Sequence, residues 1–234
     1  MQSQARSPSR ARAQTTEGES TQARSGVILV IRRRRSVVTR DPRKPDQILN
    51  LQYEETVVRG DTYQFKDLLK KLGFRWDSNE RAWVANNLDV AKQVAEKLRS
   101  SGAEVWEVTE DLEEVSRIVK EKIAELEKSG RKQELLDALK TLESLGIRGP
   151  EAHVPLELFM RTVAENLRKS YRLGNVGFDD VLRKMLEGQV GESWGLWKKE
   201  RLQKLAEAYM KLREMGLADL TINQLVHEML PRLM

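Results

Sequence analysis

Planar aromatic rings and guanidinium groups, the side chains that grip unpaired bases and their phosphates, crowd into Gly73-Phe74-Arg75-Trp76-Asp77-Ser78-Asn79-Glu80-Arg81-Ala82-Trp83-Val84. Two short aromatic runs flank a tetrad of turn formers, the pattern of a β-hairpin. With Asp77–Glu80 as the turn, Trp76 faces Arg81 and Phe74 faces Trp83. Strand alternation then gathers Phe74, Trp76, Arg81 and Trp83 on one side, with Arg75, Ala82 and Val84 on the other. Such a face can stack bases or fill the core of a small sheet. Phe74 and Trp83 fit the core better, whereas Trp76, beside the turn and opposite an arginine, is placed to meet a base. Tyr53 and Trp106 fall on neighbouring predicted strands and could extend the surface.

Arg32-Arg33-Arg34-Arg35 is the second chemical feature. In a strand these side chains alternate between faces, and four guanidiniums cannot all be buried without partners. The run either charges an edge strand against aggregation or meets phosphates, and its length favours phosphates.

Catalysis finds little footing. His153 and His227 are the only histidines, far apart and outside any metal-ligand spacing. Neither a Walker-type loop nor a dinucleotide fingerprint occurs. Glu54-Glu55 and Asp179-Asp180 are sequence neighbours that do not face a common point in a strand or helix; Asp179 reads better as a helix cap. No enzyme activity, metal or cofactor is expected.

The elements that must position these residues follow from composition and periodicity. The chain has 234 residues, no Cys and a net charge of +5. Its first 50 residues hold 11 Lys and Arg against 4 Asp and Glu, and the remainder 30 against 32. Basic character therefore concentrates in the tail and first strand, which points to a polyanion partner. Absence of Cys excludes disulfides and thiolate sites and, with abundant Glu, Lys and Arg, fits a thermophile. Residues 1–25 hold almost nothing apolar and are expected to be disordered. No apolar run is long enough to span a bilayer or serve as a secretory signal, so a cytoplasmic location is expected, without membrane partners.

Strands are predicted over Val27–Val38 and about Ile48–Val58, separated by Asp41-Pro42-Arg43-Lys44-Pro45-Asp46. A short helix striped by Phe65, Leu68, Leu69 and Leu72 precedes the hairpin. A second helix striped by Val90, Val94 and Leu98, then a strand at Val105–Val108, completes a β-β-α-β-β-α-β order. This is an α+β N-terminal domain, a small antiparallel sheet with helices on one face and the other face open. An all-α C-terminal region follows, giving boundaries of 26–108 for the α+β domain, 109–148 for a helical hairpin or connector, and 149–234 for a helical domain able to oligomerise. Expected helices in the latter are Leu156–Leu173, Phe178–Leu186, Trp194–Met215 and Thr221–Leu233.

Gly60-Asp61-Thr62-Tyr63, Lys66–Asp77 and Ala82-Trp83-Val84 together resemble the ThermoDBP family, single-stranded DNA-binding proteins of some hyperthermophilic archaea. The same short motif is similar to HARP-type domains of annealing helicases and to primase-associated modules. The ThermoDBP resemblance covers roughly residues 27–108. It implies a small α+β domain with an aromatic cleft flanked by basic residues, joined to a helical oligomerisation segment. Carried onto this sequence, it implies Phe74, Trp76 and Trp83 as aromatic positions and Arg75 and Arg81 as basic flanks. The resulting expectation is a non-enzymatic, largely sequence-independent binder of single-stranded nucleic acid, DNA favoured, acting in replication or repair. Its site would comprise Arg32, Arg33, Arg34, Arg35, Tyr53, Phe74, Arg75, Trp76, Arg81 and Trp83, and it could form homo-oligomers through its C-terminal helices. The alternative is a helical interaction adaptor or accessory subunit of a replication or repair complex.

Overall fold

A computed structural model describes residues 26–191 and 198–234. The expected 1–25 tail, Trp194 and Trp197 lie outside the described residues. The apolar, largely β-branched run at 27–31 opens β1 (Val27–Asp41). A two-residue turn at Pro42-Arg43 leads to β2 (Lys44–Gly60), which pairs antiparallel to β1 from Ile28↔Gly60 to Arg40↔Ile48. The strands are therefore longer than the apolar pattern predicts, because the expected six-residue break is a tight turn inside one continuous hairpin. A 3-10 turn at Tyr63–Phe65 and helix α1 (Lys66–Lys71) follow. Then come β3 (Arg75–Asp77), β4 (Ala82–Ala85), α2 (Val90–Ser100) and β5 (Glu104–Thr109).

The β-β-α-β-β-α-β order is thus as expected, but the sheet is mixed. Its spatial order is β3-β4-β2-β1-β5, with β5 parallel to β1 through the α2 crossover. One face buries Ile28, Val30, Val58, Phe74 and Trp83 against Phe65 and Leu69 from the α1 segment and Val94, Ala95 and Leu98 of α2. The opposite face is not open. Ile31, Val57, Ala82 and Val108 form a small second core there, roofed by charged groups described below.

The helices beyond β5 are α3 (Leu112–Lys128), α4 (Lys132–Ser144), α5 (Leu156–Ser170), α6 (Phe178–Leu186) and α7 (Lys199–Glu214), with a π-turn at Gln224–Met229 near the end. Val119, Leu135 and Leu139 share one core with Leu156, Met160, Met185, Leu202 and Tyr209. Helices α3 and α4, within the stretch 109–148 expected as a helical hairpin or connector, share this core with the later helices. Asp179 does not cap α6. Gly177 is the N-cap, and Asp179 reaches Arg213 at 3.0 Å instead. No helix among the described residues is long and apolar enough to cross a membrane.

Candidate nucleic-acid interface

Helix α1 is short and two-sided: Leu69 is buried while Lys66, Lys70 and Lys71 face solvent. It stops at Gly73, whose φ of +84° lets the chain reverse so that Phe74 N–H donates to Leu69 O at 3.0 Å. That reversal sends Phe74 into the core, 3% exposed, and delivers Arg75 and Trp76 onto the edge strand β3.

The hairpin register differs from the expected one. Arg75 pairs with Val84, Trp76 with Trp83 and Asp77 with Ala82, so the loop is residues 78–81. Asp77 stays in the strand because its carboxylate accepts from Asn79 N–H at 2.8 Å and Glu80 N–H at 3.2 Å, organising the turn from its first position. Arg81 closes the loop at φ +49°, outside the strand and not opposite Trp76. The shift separates the two tryptophans by role. Trp83 is 8% exposed among core residues. Trp76 is 52% exposed and meets Trp83 edge-on, ring centroids 5.6 Å apart at 66°. An edge-to-face contact of this kind fixes the orientation of Trp76 and leaves half of its surface to solvent.

The elements beside this ring, α1 and the β3–β4 hairpin, carry five cations, Arg75 among them on the sheet face opposite to the Trp76 ring. Lys66, Lys70, Lys71, Arg75 and Arg81 are exposed and, among the described residues, make no ion pair. Of the nearby acids, Asp77 is engaged by the turn and Glu80 by arginines, while Asp67 of α1 is exposed and makes no ion pair among the described residues. Tyr63, 79% exposed, has the Lys66 ammonium 4.9 Å from its ring centroid. Tyr63 and the three lysines are absent from the site expected from sequence; their signal is the polar stripe opposite Leu69.

The arginine run is arranged differently from the expectation. Arg33 and Arg35 project to the roofed face and Arg32 and Arg34 to the helix-covered face, and all four meet carboxylates. Arg33 contacts Glu55 at 2.6 Å and Glu80 at 2.8 Å; Glu80 also takes Arg35 at 3.4 Å and Arg59 at 2.9 Å. On the other side Arg32 meets Glu114 at 2.7 Å, and Arg34 meets Glu54, Asp111 and Glu113 at 3.0–3.1 Å. The hairpin explains part of this, since Arg33 and Arg34 lie directly opposite Glu55 and Glu54. Hydrogen bonds from Arg33, and then Arg59, hold the Glu80 carboxyl below its ordinary range against the opposing effect of burial. Arg33, Arg35 and Arg59, with Glu55 and Glu80, thus form an ion-pair network on the face that carries buried Ile31 and Val57, the face predicted to be open.

Tyr53 lies opposite Arg35, half-buried, away from the β3 edge. Trp106, on β5 beside Leu29, is also removed from it; its ring lies 6.0 Å from the Arg161 guanidinium of α5. Of the residues named from sequence, the fold brings Arg75, Trp76 and Arg81 to one exposed hairpin, withdraws Phe74 and Trp83 into the core, and neutralises Arg32–Arg35. The fold and site together define an α+β domain with an aromatic and basic sheet edge, joined to a helical domain. Comparison with protein-family models, with curated proteins and with solved structures returned no match.

Proposed function

We propose that this protein binds single-stranded nucleic acid, DNA in preference, through the edge formed by α1 and β3, without catalysing a reaction on it. The observation that carries this reading is Trp76, oriented by Trp83 and half-exposed, on an edge whose elements, α1 and the β3–β4 hairpin, bear five exposed cations without an ion pair among the described residues. Unoccupied cations are what counterion release requires, and an exposed, oriented ring is what base stacking requires. The likeness of residues 60–84 to the ThermoDBP motif supports the same reading, with Arg75 and Arg81 kept as basic flanks. Phe74 and Trp83 serve as the scaffold behind Trp76 rather than as stacking platforms. Arg32–Arg35 contribute to the roof of the sheet first and reach a phosphate only by exchanging partners.

Fluorescence anisotropy with a labelled single strand at two salt concentrations tests this. Trp76→Ala is expected to weaken binding about tenfold. Replacing Lys70, Lys71 and Arg75 together by alanine should lower the salt slope by about 2, at ~0.7 for each phosphate that is no longer neutralised. Affinity and slope unchanged in both variants would remove the interface.

A further inference from the structure

Beyond the last β5 partner, Arg32, and before the first β4 partner, Thr56, the β1–β2 hairpin continues alone. It runs roughly nine residues, or about 30 Å at ~3.3 Å per residue. A free two-stranded ribbon is marginal in water, so an arm of this length calls for something that covers it.

The two faces of the arm differ. One pairs Val37 with Leu51, Thr39 with Leu49 and Arg35 with Tyr53, and most of these side chains half-bury one another. The other pairs Ser36 with Gln52, Val38 with Asn50 and Arg40 with Ile48, all exposed, with Val38 and Ile48 at 69%. The side chains of Ser36, Arg40, Asn50 and Gln52 have no partner among the described residues. At the tip, the Asp41 carboxylate accepts from Arg43 N–H at 2.8 Å, leaving the Arg43 and Lys44 side chains, and the single carboxylate of Asp46, exposed and, among the described residues, unpaired.

Two occupants fit a ribbon: a second copy or a nucleic-acid groove. Either face of the arm offers only about 300 Å², taking ~30 Å by ~10 Å for two strands, well short of the ~800 Å² per partner of a stable complex. The exposed face instead carries the side chains that read base edges: Asn and Gln for adenine, Arg for guanine, Val and Ile for a thymine methyl. The B-form major groove, about 12 Å wide, admits a two-stranded ribbon; the A-form major groove of RNA does not admit side chains. The geometry points to the β1–β2 arm as a duplex-DNA contact, its Ser36–Arg40–Asn50–Gln52 face in the major groove and Arg43 and Lys44 at the phosphates. This surface is separate from Trp76, which pairs level with Val58 rather than on the arm, and it does not depend on the single-strand reading. A protein holding both surfaces would favour a duplex that runs into a single strand.

Binding of the full chain to a DNA duplex, an RNA duplex and a single strand, with mass by light scattering, tests the arm. Combining Arg40→Ala, Asn50→Ala and Gln52→Ala is expected to weaken DNA-duplex binding at least tenfold and to leave single-strand affinity unchanged. Arg43→Ala with Lys44→Ala should lower the duplex salt slope by about 1.8. Because residues 37–51 lie outside all three cores, replacing them by Asn-Gly should preserve the fold and abolish the duplex preference over RNA. Three results would overturn the proposal: no duplex binding by the natural chain at about 50 mM salt, equal duplex affinity in the arm variants, or loss of a dimer with duplex affinity intact. Failure of the single-strand reading would show separately, as Trp76→Ala binding single strands normally.

Discussion

Trp76 and Trp83 are partners in a pair, yet the fold asks opposite things of them. Trp83 closes the core beneath α1 and α2, so Trp83→Ala should cost about 3–5 kcal/mol and be seen as a large drop in melting temperature. Trp76→Ala removes an exposed ring and should leave the melting temperature within a few degrees. Glu80 makes a second residue-scale prediction. Its carboxyl is held below the unfolded value of about 4.3, so the associated stability is complete above that pH and is lost as pH falls through the folded pKa. Glu80→Gln should therefore destabilise the protein at pH 7, and the difference from the natural chain should shrink at pH 3. The same substitution loosens Arg33, Arg35 and Arg59 and is expected to tighten single-strand binding while steepening its salt dependence.

Elements are legible where one periodicity dominates. Leu69 and Phe65 announce α1, Val90, Val94 and Leu98 announce α2, and the apolar run at 27–31 announces β1. The hairpin register is less accessible because it turns on Asp77 capping its own loop and Arg81 accepting a positive φ, neither of which alternation encodes. The long ribbon is hidden because its outer half is polar on one face and Pro42 and Pro45 read as a broken segment. The neutralised arginines are half visible: Arg33-Arg34 and Glu54-Glu55 match across a hairpin, but Glu80 and Glu114 arrive through tertiary folding that spacing does not reveal. At Gly60, a Cβ would lie 2.1 Å from Val27 O at φ +111°. Gly60→Ala should thus separate the open ends of the β1–β2 pair and lower the melting temperature, while Gly73→Ala meets only the positive-φ cost.

Across the whole molecule the sheet and the helical core are joined by a few specific ties. Gln224 Nε2 donates to Thr109 O at 2.6 Å, and Arg34 reaches Asp111, whose carboxylate caps α3. Arg161 lies over Trp106 and Phe178 and donates to Glu157, which also accepts from the buried Tyr209 hydroxyl. Burial, then that hydrogen bond, pushes the Tyr209 hydroxyl well above its ordinary pKa. Arg161→Ala should cost about 1–2 kcal/mol, since the guanidinium is partly exposed, and leave single-strand affinity unchanged if the helical half stands outside the interface. The sheet edge bearing Trp76 is at the far side from β5, where these ties attach. Titrating the natural chain and Trp76→Ala with an unlabelled single strand, and following tryptophan fluorescence, addresses that edge most directly. The prediction is strong quenching in the natural chain, with quenching largely abolished and affinity about tenfold weaker in a variant of unchanged melting temperature. Equal quenching and equal affinity in the two proteins would contradict it.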